Sequence, residues 1–78
     1  MTLRELQRGQ SATIEKVDSR QPGVVRLMVL GLTEGTEIQF ENAAIGGDPM
    51  EISVFGTSIS VRRQQAGSFV VSPLAANA

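Results

Sequence analysis

The chain has neither cysteine nor histidine. The first absence excludes disulfides and thiolate metal sites. The second removes the commonest general base and the commonest transition-metal ligand. Tryptophan and tyrosine are missing as well, and the aromatics amount to three phenylalanines. A core must therefore be built mainly from Ile, Val and Leu. Charge of one sign is also lacking. Seven basic and eight acidic residues leave a net charge of −1, with no basic block of the kind that grips a phosphate backbone, so nucleic acid is not an expected partner. No apolar run is long enough to span a bilayer. Met1 to Gln10 is charged and lacks the apolar stretch of a secretory signal, so a cytoplasmic location without membrane insertion is expected. Ser11, Ser58, Ser60 and Ser68 have no imidazole to activate them, and no deep cleft is expected to shift a carboxyl pKa. Neither an enzyme nor a bound cofactor is expected.

The 78 residues allow one domain, expected over residues 1–73, with residues 74–78 as a frayed tail. A domain of this size buries roughly 60% of the surface its unfolded chain exposes, so the core is thin. Leu3 and Leu6 in Thr2–Arg8, with Thr2 as cap and Glu5 three residues on, predict a capping box and a short helical turn ended by Gly9. Ser11–Val17 alternates early, with Ala12 and Ile14 on one face, and reads as a strand. Asp18–Gly23 is a polar loop. Val24–Leu30 reads as a helix stopped at Gly31, where a left-handed backbone costs glycine nothing, and Leu27 and Leu32 are placed to meet in a Schellman ending. Thr36–Asn42 alternates, with Ile38 and Phe40 inward. Ala43–Pro49 is a loop. Met50, Ile52 and Val54, then Ile59 and Val61, mark two more strands joined at Gly56 and Thr57. Arg63–Ala66 is a single helical turn, and Ser68–Ser72 a last strand. Five short strands with one apolar face each can bury those faces only by curling. The expected fold is mainly β, an SH3-like five-stranded barrel with one short helix between the first two strands and a short N-terminal helical turn.

Two features can be weighed from the residues alone. At about 100° per residue, Val24, Leu27 and Leu30 share one sector of the helix, and Val25 and Val29 fall nearly opposite. A helix on a small barrel buries one side only. Val25 and Val29 are therefore either an apolar stripe for a partner or a second copy, or they are covered by the preceding loop. Gly46-Gly47-Asp48-Pro49 is glycine-rich, but a strand follows it and no lysine is near, so a structural turn is expected rather than a phosphate cradle.

The order of these signals resembles the FeoA family. The residues that carry the resemblance are Arg26-Leu27, Leu30-Gly31-Leu32 and Gly35, then Gly47-Asp48-Pro49, Ile52, Val54, Gly56 and Ser60-Val61-Arg62. Leu3, Leu6 and Gly9 fit the same family's opening. The resemblance covers about residues 3 to 72. Two stretches depart from the usual pattern: Asn42-Ala43-Ala44-Ile45 lacks a proline common there, and Val24, Val25, Met28 and Val29 make the helix more apolar. The resemblance implies a small SH3-like accessory protein of bacterial ferrous iron uptake. Its implied partner is the transporter FeoB, which carries a GTP-binding domain and a membrane permease domain. It also implies kinship with the SH3-like C-terminal domains of iron-dependent repressors, which gives a self-associating regulatory or structural domain as the alternative. On this reading Val25, Arg26, Val29, Arg62 and Arg63 are the candidate partner-binding residues. Arg62 or Arg63 offered in trans would stabilise charge during phosphoryl transfer; the plainer reading pairs them with Glu37, Glu41 or Glu51 on the surface. Iron biology invites a ligand search, and only carboxylates are available: Glu34, Glu37, Glu41, Asp48 and Glu51, with Asp48 and Glu51 as weak surface candidates for a transition metal ion.

Overall fold

The computed structural model describes residues 1–74, so the expected tail lies outside the described residues except for Leu74. The chain opens on a single 3-10 turn, Leu3–Glu5. The Glu5 carboxylate accepts from both the Thr2 N–H (2.7 Å) and the Thr2 hydroxyl (3.3 Å), while the Glu5 N–H donates to the Thr2 carbonyl. Strand β1 (Ser11–Val17) follows, then helix α1 (Val24–Val29), β2 (Glu37–Ala43), β3 (Met50–Val54), β4 (Thr57–Val61), the one-turn helix α2 (Arg63–Ala66) and β5 (Phe69–Pro73).

The five strands form one antiparallel sheet in the order β4-β3-β2-β1-β5. No ladder joins β4 to β5 among the described residues, so hydrogen bonds do not close the barrel. Two bulges bend the sheet. The register slips between Ile14 and Lys16 in β1, and between Phe40 and Asn42 in β2. At each slip two consecutive residues face solvent: Glu15 with Lys16, and Glu41 with Asn42. A bulge breaks the two-residue period in this way and increases local twist, which lets the inward face wrap a small core. That core holds Leu3, Ile14, Val24, Leu32, Ile38, Met50, Ile52, Val61 and Phe69, each 2% exposed or less.

Helix α1 ends as its sequence dictates. Gly31 has φ +127°, the Leu32 N–H donates to the Leu27 carbonyl, and the Gly31 N–H donates to that of Met28 (both 3.0 Å). This pair of bonds is the Schellman pattern, and it carries Leu32 into the core beside the buried Leu27. Leu30 does not stay on the buried face; it is 49% exposed. The helix stops at Val29, so Leu30 belongs to the cap, and it is Leu32 that is buried.

The loop after β1 is fastened by Asp18. Its carboxylate accepts from the Arg20 backbone N–H (3.1 Å) and from the Arg20 Nε and Nη2 (2.9 and 2.8 Å). These hydrogen bonds, the side-chain ones first, lower the Asp18 pKa to about 2. A carboxyl depressed by folding contributes stability above its unfolded value and loses it as pH falls through the folded one. NMR titration of the Asp18 carboxyl is expected to give a midpoint near 2, and Arg20→Gln is expected to return it toward the ordinary carboxyl range. A wild-type midpoint near 4, an ordinary aspartate value, would mean that the Asp18–Arg20 pair does not form in solution.

Candidate partner surface

Helix α1 buries Val24 and Leu27 and turns its other side outward. Val25 is 56% exposed and Val29 81%, so the loop and the N-terminal turn leave them bare. The ridge does not end with the helix. Leu30 extends it, and the ring of Phe55, 83% exposed, lies beside Gly31: a Cβ placed on that glycine would stand 3.5 Å from the Phe55 Cε2. Sequence reasoning did not join Phe55 to the helix, because the two are distant in the chain and only the fold brings them together.

Phe55 also holds an unusual backbone. It has φ +51°, and with Gly56 at φ +77° it forms the two-residue turn between β3 and β4, with Val54 paired to Thr57. The hairpin was expected to turn at Gly56 and Thr57; it turns one residue earlier. Such a turn needs positive φ at both central positions and favours Asn, Asp or Gly. A bulky aromatic residue is strained there. The strain gains no burial, because the ring stays largely in solvent. An outlier that costs stability without serving the core is a pointer to function.

Beside the ridge lies a groove of roughly 420 Å³ lined by Gly23, Arg26, Leu27, Pro49, Ser60, Arg62 and Gln65. The structure thus brings together Arg26 and Arg62. Among the described residues neither guanidinium is within salt-bridge reach of a carboxylate, and the single ion pair is Asp18–Arg20. The surface pairing of Arg62 with Glu37, Glu41 or Glu51 does not form. Glu41 and Glu51 instead accept from the hydroxyls of Ser58 and Ser60.

Arg63 is differently employed. Its backbone N–H donates to the Asp48 carboxylate (3.0 Å), its Nε to the Gly47 carbonyl (2.5 Å) and its Nη1 to the Arg4 carbonyl (3.1 Å). One side chain therefore ties α2 to the β2–β3 loop and to the N-terminal turn, and the Gly46–Pro49 stretch is the structural turn expected. Arg63→Ala is expected to cost about 2–3 kcal/mol in urea unfolding, because it removes charge-assisted hydrogen bonds and orphans two carbonyls. Arg63→Lys should recover little, since a single ammonium cannot reproduce the planar fork. Unchanged stability in both variants would contradict this role. Asp48 and Glu51, the weak metal candidates, are engaged with Arg63 and Ser60, and no group of three or more acidic residues converges among the described residues.

A small bent antiparallel sheet, with a short helix that leaves an apolar ridge in solvent and a groove lined by two arginines beside it, defines an SH3-like module. The FeoA domain family matches the chain over residues 1–73, and the chain belongs to that family. It is similar to the FeoA protein of Chlorobium tepidum, with 35% identity and TM-score 0.86 over 100% of this chain and 74% of that one. It is also similar to the zinc-complexed FeoA of Stenotrophomonas maltophilia, with 32% identity and TM-score 0.80 over 92% and 89% of the two chains. That protein is described as an SH3 domain protein and a candidate activating factor of bacterial ferrous iron transport. A manganese-dependent transcriptional repressor shares the fold, at 12% identity and TM-score 0.80 over 95% of this chain and 41% of that one. No match to the chain was found among curated proteins. No helix among the described residues is long and apolar enough to cross a membrane.

Proposed function

We propose that this chain is a non-enzymatic accessory module of bacterial ferrous iron uptake that works in the cytoplasm by binding the cytoplasmic part of FeoB. The observation that carries the reading is the solvent-facing ridge of Val25, Val29, Leu30 and Phe55 on a FeoA domain. Contiguous exposed apolar side chains mark interaction surfaces, and here one of them is held in a strained backbone to stay outside. Arg26 and Arg62 flank the ridge with unpaired charge, which steers encounter and sets orientation. A binding module regulates its partner only by differential affinity for the partner's conformations, so the contact must favour one state of the transporter's GTPase or pore.

The test is binding of the purified protein to detergent-solubilised FeoB in each nucleotide state, alongside ferrous iron uptake in cells lacking the gene. Binding with impaired uptake supports the reading. No binding in any state, with uptake intact, refutes it. The same ridge also suits a second copy of the chain, and sedimentation equilibrium separates the two: a monomer at high concentration removes self-association.

A further inference from the structure

Strand β4 stands at one end of the sheet. Val54 and Thr57 flank the two-residue turn, so they form a hydrogen-bonded pair, and the pairs Ile52–Ile59 and Met50–Val61 follow at the antiparallel period. The backbone groups of Thr57, Ile59 and Val61 therefore point into the sheet. Those of Ser58 and Ser60 point out of it, and none of their N–H or C=O groups has another backbone partner among the described residues. Such an edge is a template for an added strand, and proteins that do not use it block it with proline, lysine, a bulge or a covering helix or loop. Residues 57–61 read Thr-Ser-Ile-Ser-Val and carry no proline, lysine or bulge, and α1 leaves the groove between itself and the end of β4 open.

The edge runs between two chemically different ends. At its start stand Phe55 and the apolar ridge. At its finish is the groove, which Ser60 itself lines together with Arg26, Arg62 and Gln65, and no carboxylate lines it. We infer that the β4 edge and this groove form one docking track for an extended acidic segment of a partner protein. Ser58 and Ser60 supply the backbone hydrogen bonds, and a carboxylate of the segment sits between Arg26 and Arg62. Charge complementarity selects the occupant: two guanidiniums without an ion-pair partner among the described residues face the groove in a chain that is otherwise slightly acidic. Strand geometry sets the spacing. At about 3.3 Å per residue, the segment places an apolar side chain roughly four residues from its Asp or Glu. That this segment belongs to FeoB rests on the function proposed above; the track itself does not.

The experiment titrates the protein against a short fluorescein-labelled peptide, Leu-Thr-Val-Thr-Glu-Glu, and against the same peptide with both Glu replaced by Gln. The acidic peptide is expected to bind in a salt-dependent way and the Gln peptide at least about tenfold more weakly. Arg26→Gln and Arg62→Gln should each weaken binding by about tenfold, as expected for loss of a charge-assisted contact. Ser60→Pro removes an N–H that β3 does not use, so it should abolish binding while the thermal melt stays cooperative. NMR shifts on peptide addition should cluster in residues 57–62 without recourse to any variant. Equal binding of both peptides, or binding untouched by Ser60→Pro, overturns the track. Displacement of the peptide by equimolar inorganic phosphate also overturns it, leaving a small-anion site. If the peptide series fails while FeoB binds wild type and all these variants equally, the track fails and the transporter reading stands. If FeoB does not bind while the peptide series behaves as described, the transporter reading fails and the track stands.

Discussion

Phe69→Ala is expected to leave much of the domain unfolded near physiological temperature. Phe69 heads the largest fully buried side chains, at 0% exposure, and sits where β5 joins β1 opposite Val17. Truncating a buried phenylalanine costs about 3–5 kcal/mol, from lost transfer energy and the cavity left behind. A domain of this length holds on the order of 4–12 kcal/mol in total. The chain has little with which to refill the space, because Phe40 is the other buried aromatic and lies in β2. At about 4–8 °C per kcal/mol for a domain this small, the thermal midpoint by circular dichroism should fall by roughly 12–40 °C. A fall of less than about 5 °C would mean that the space collapses freely and that the core is looser than its burial indicates.

The second large effect is on binding and leaves the fold intact. The double substitution Val29→Asp with Phe55→Asp should weaken association with FeoB by about a hundredfold, the range of a central apolar anchor lost from an interface. The melt should not suffer. Val29 is 81% exposed, and Phe55 occupies a positive-φ turn position where Asp is better tolerated than Phe. The single change Phe55→Asn should raise stability by ~0.5–1 kcal/mol while it weakens binding, a separation that a merely structural residue would not give. If both variants bind FeoB as wild type does, the ridge is not the contact surface.

Sequence periodicity located nearly every element, for reasons that can be named. Ser11–Val17 was legible to its ends because glycine and polar punctuation bound it. Gly31 was legible because the Leu-Gly-Leu stop has its own hydrogen-bond pattern. The turn at Phe55–Gly56 was not, because the alternation of Met50 to Val54 runs on through Phe55 and nothing in a phenylalanine announces a left-handed backbone. Leu30 was misplaced because a helical wheel does not know where its helix stops. Of the contact surface, Val25 and Val29 could be read from the wheel alone. Their union with Phe55, the meeting of Arg26 with Arg62 and the internal employment of Arg63 join residues separated by tens of positions, and no local pattern encodes them.

The sheet order also governs how this chain must be made. Strand β1 comes early in synthesis, yet one of its two neighbours is β5, and the Arg4 carbonyl is held by a guanidinium 59 positions further on. A growing chain that has not reached residues 69–73 leaves β1 with one flank bare and Leu3 without the strand beneath it. The meander of β1 to β4 can pair while it emerges, but the sheet locks only when its last strand arrives. Ribosome-stalled chains that end before Phe69 should therefore be degraded readily by a protease to which the completed chain is resistant.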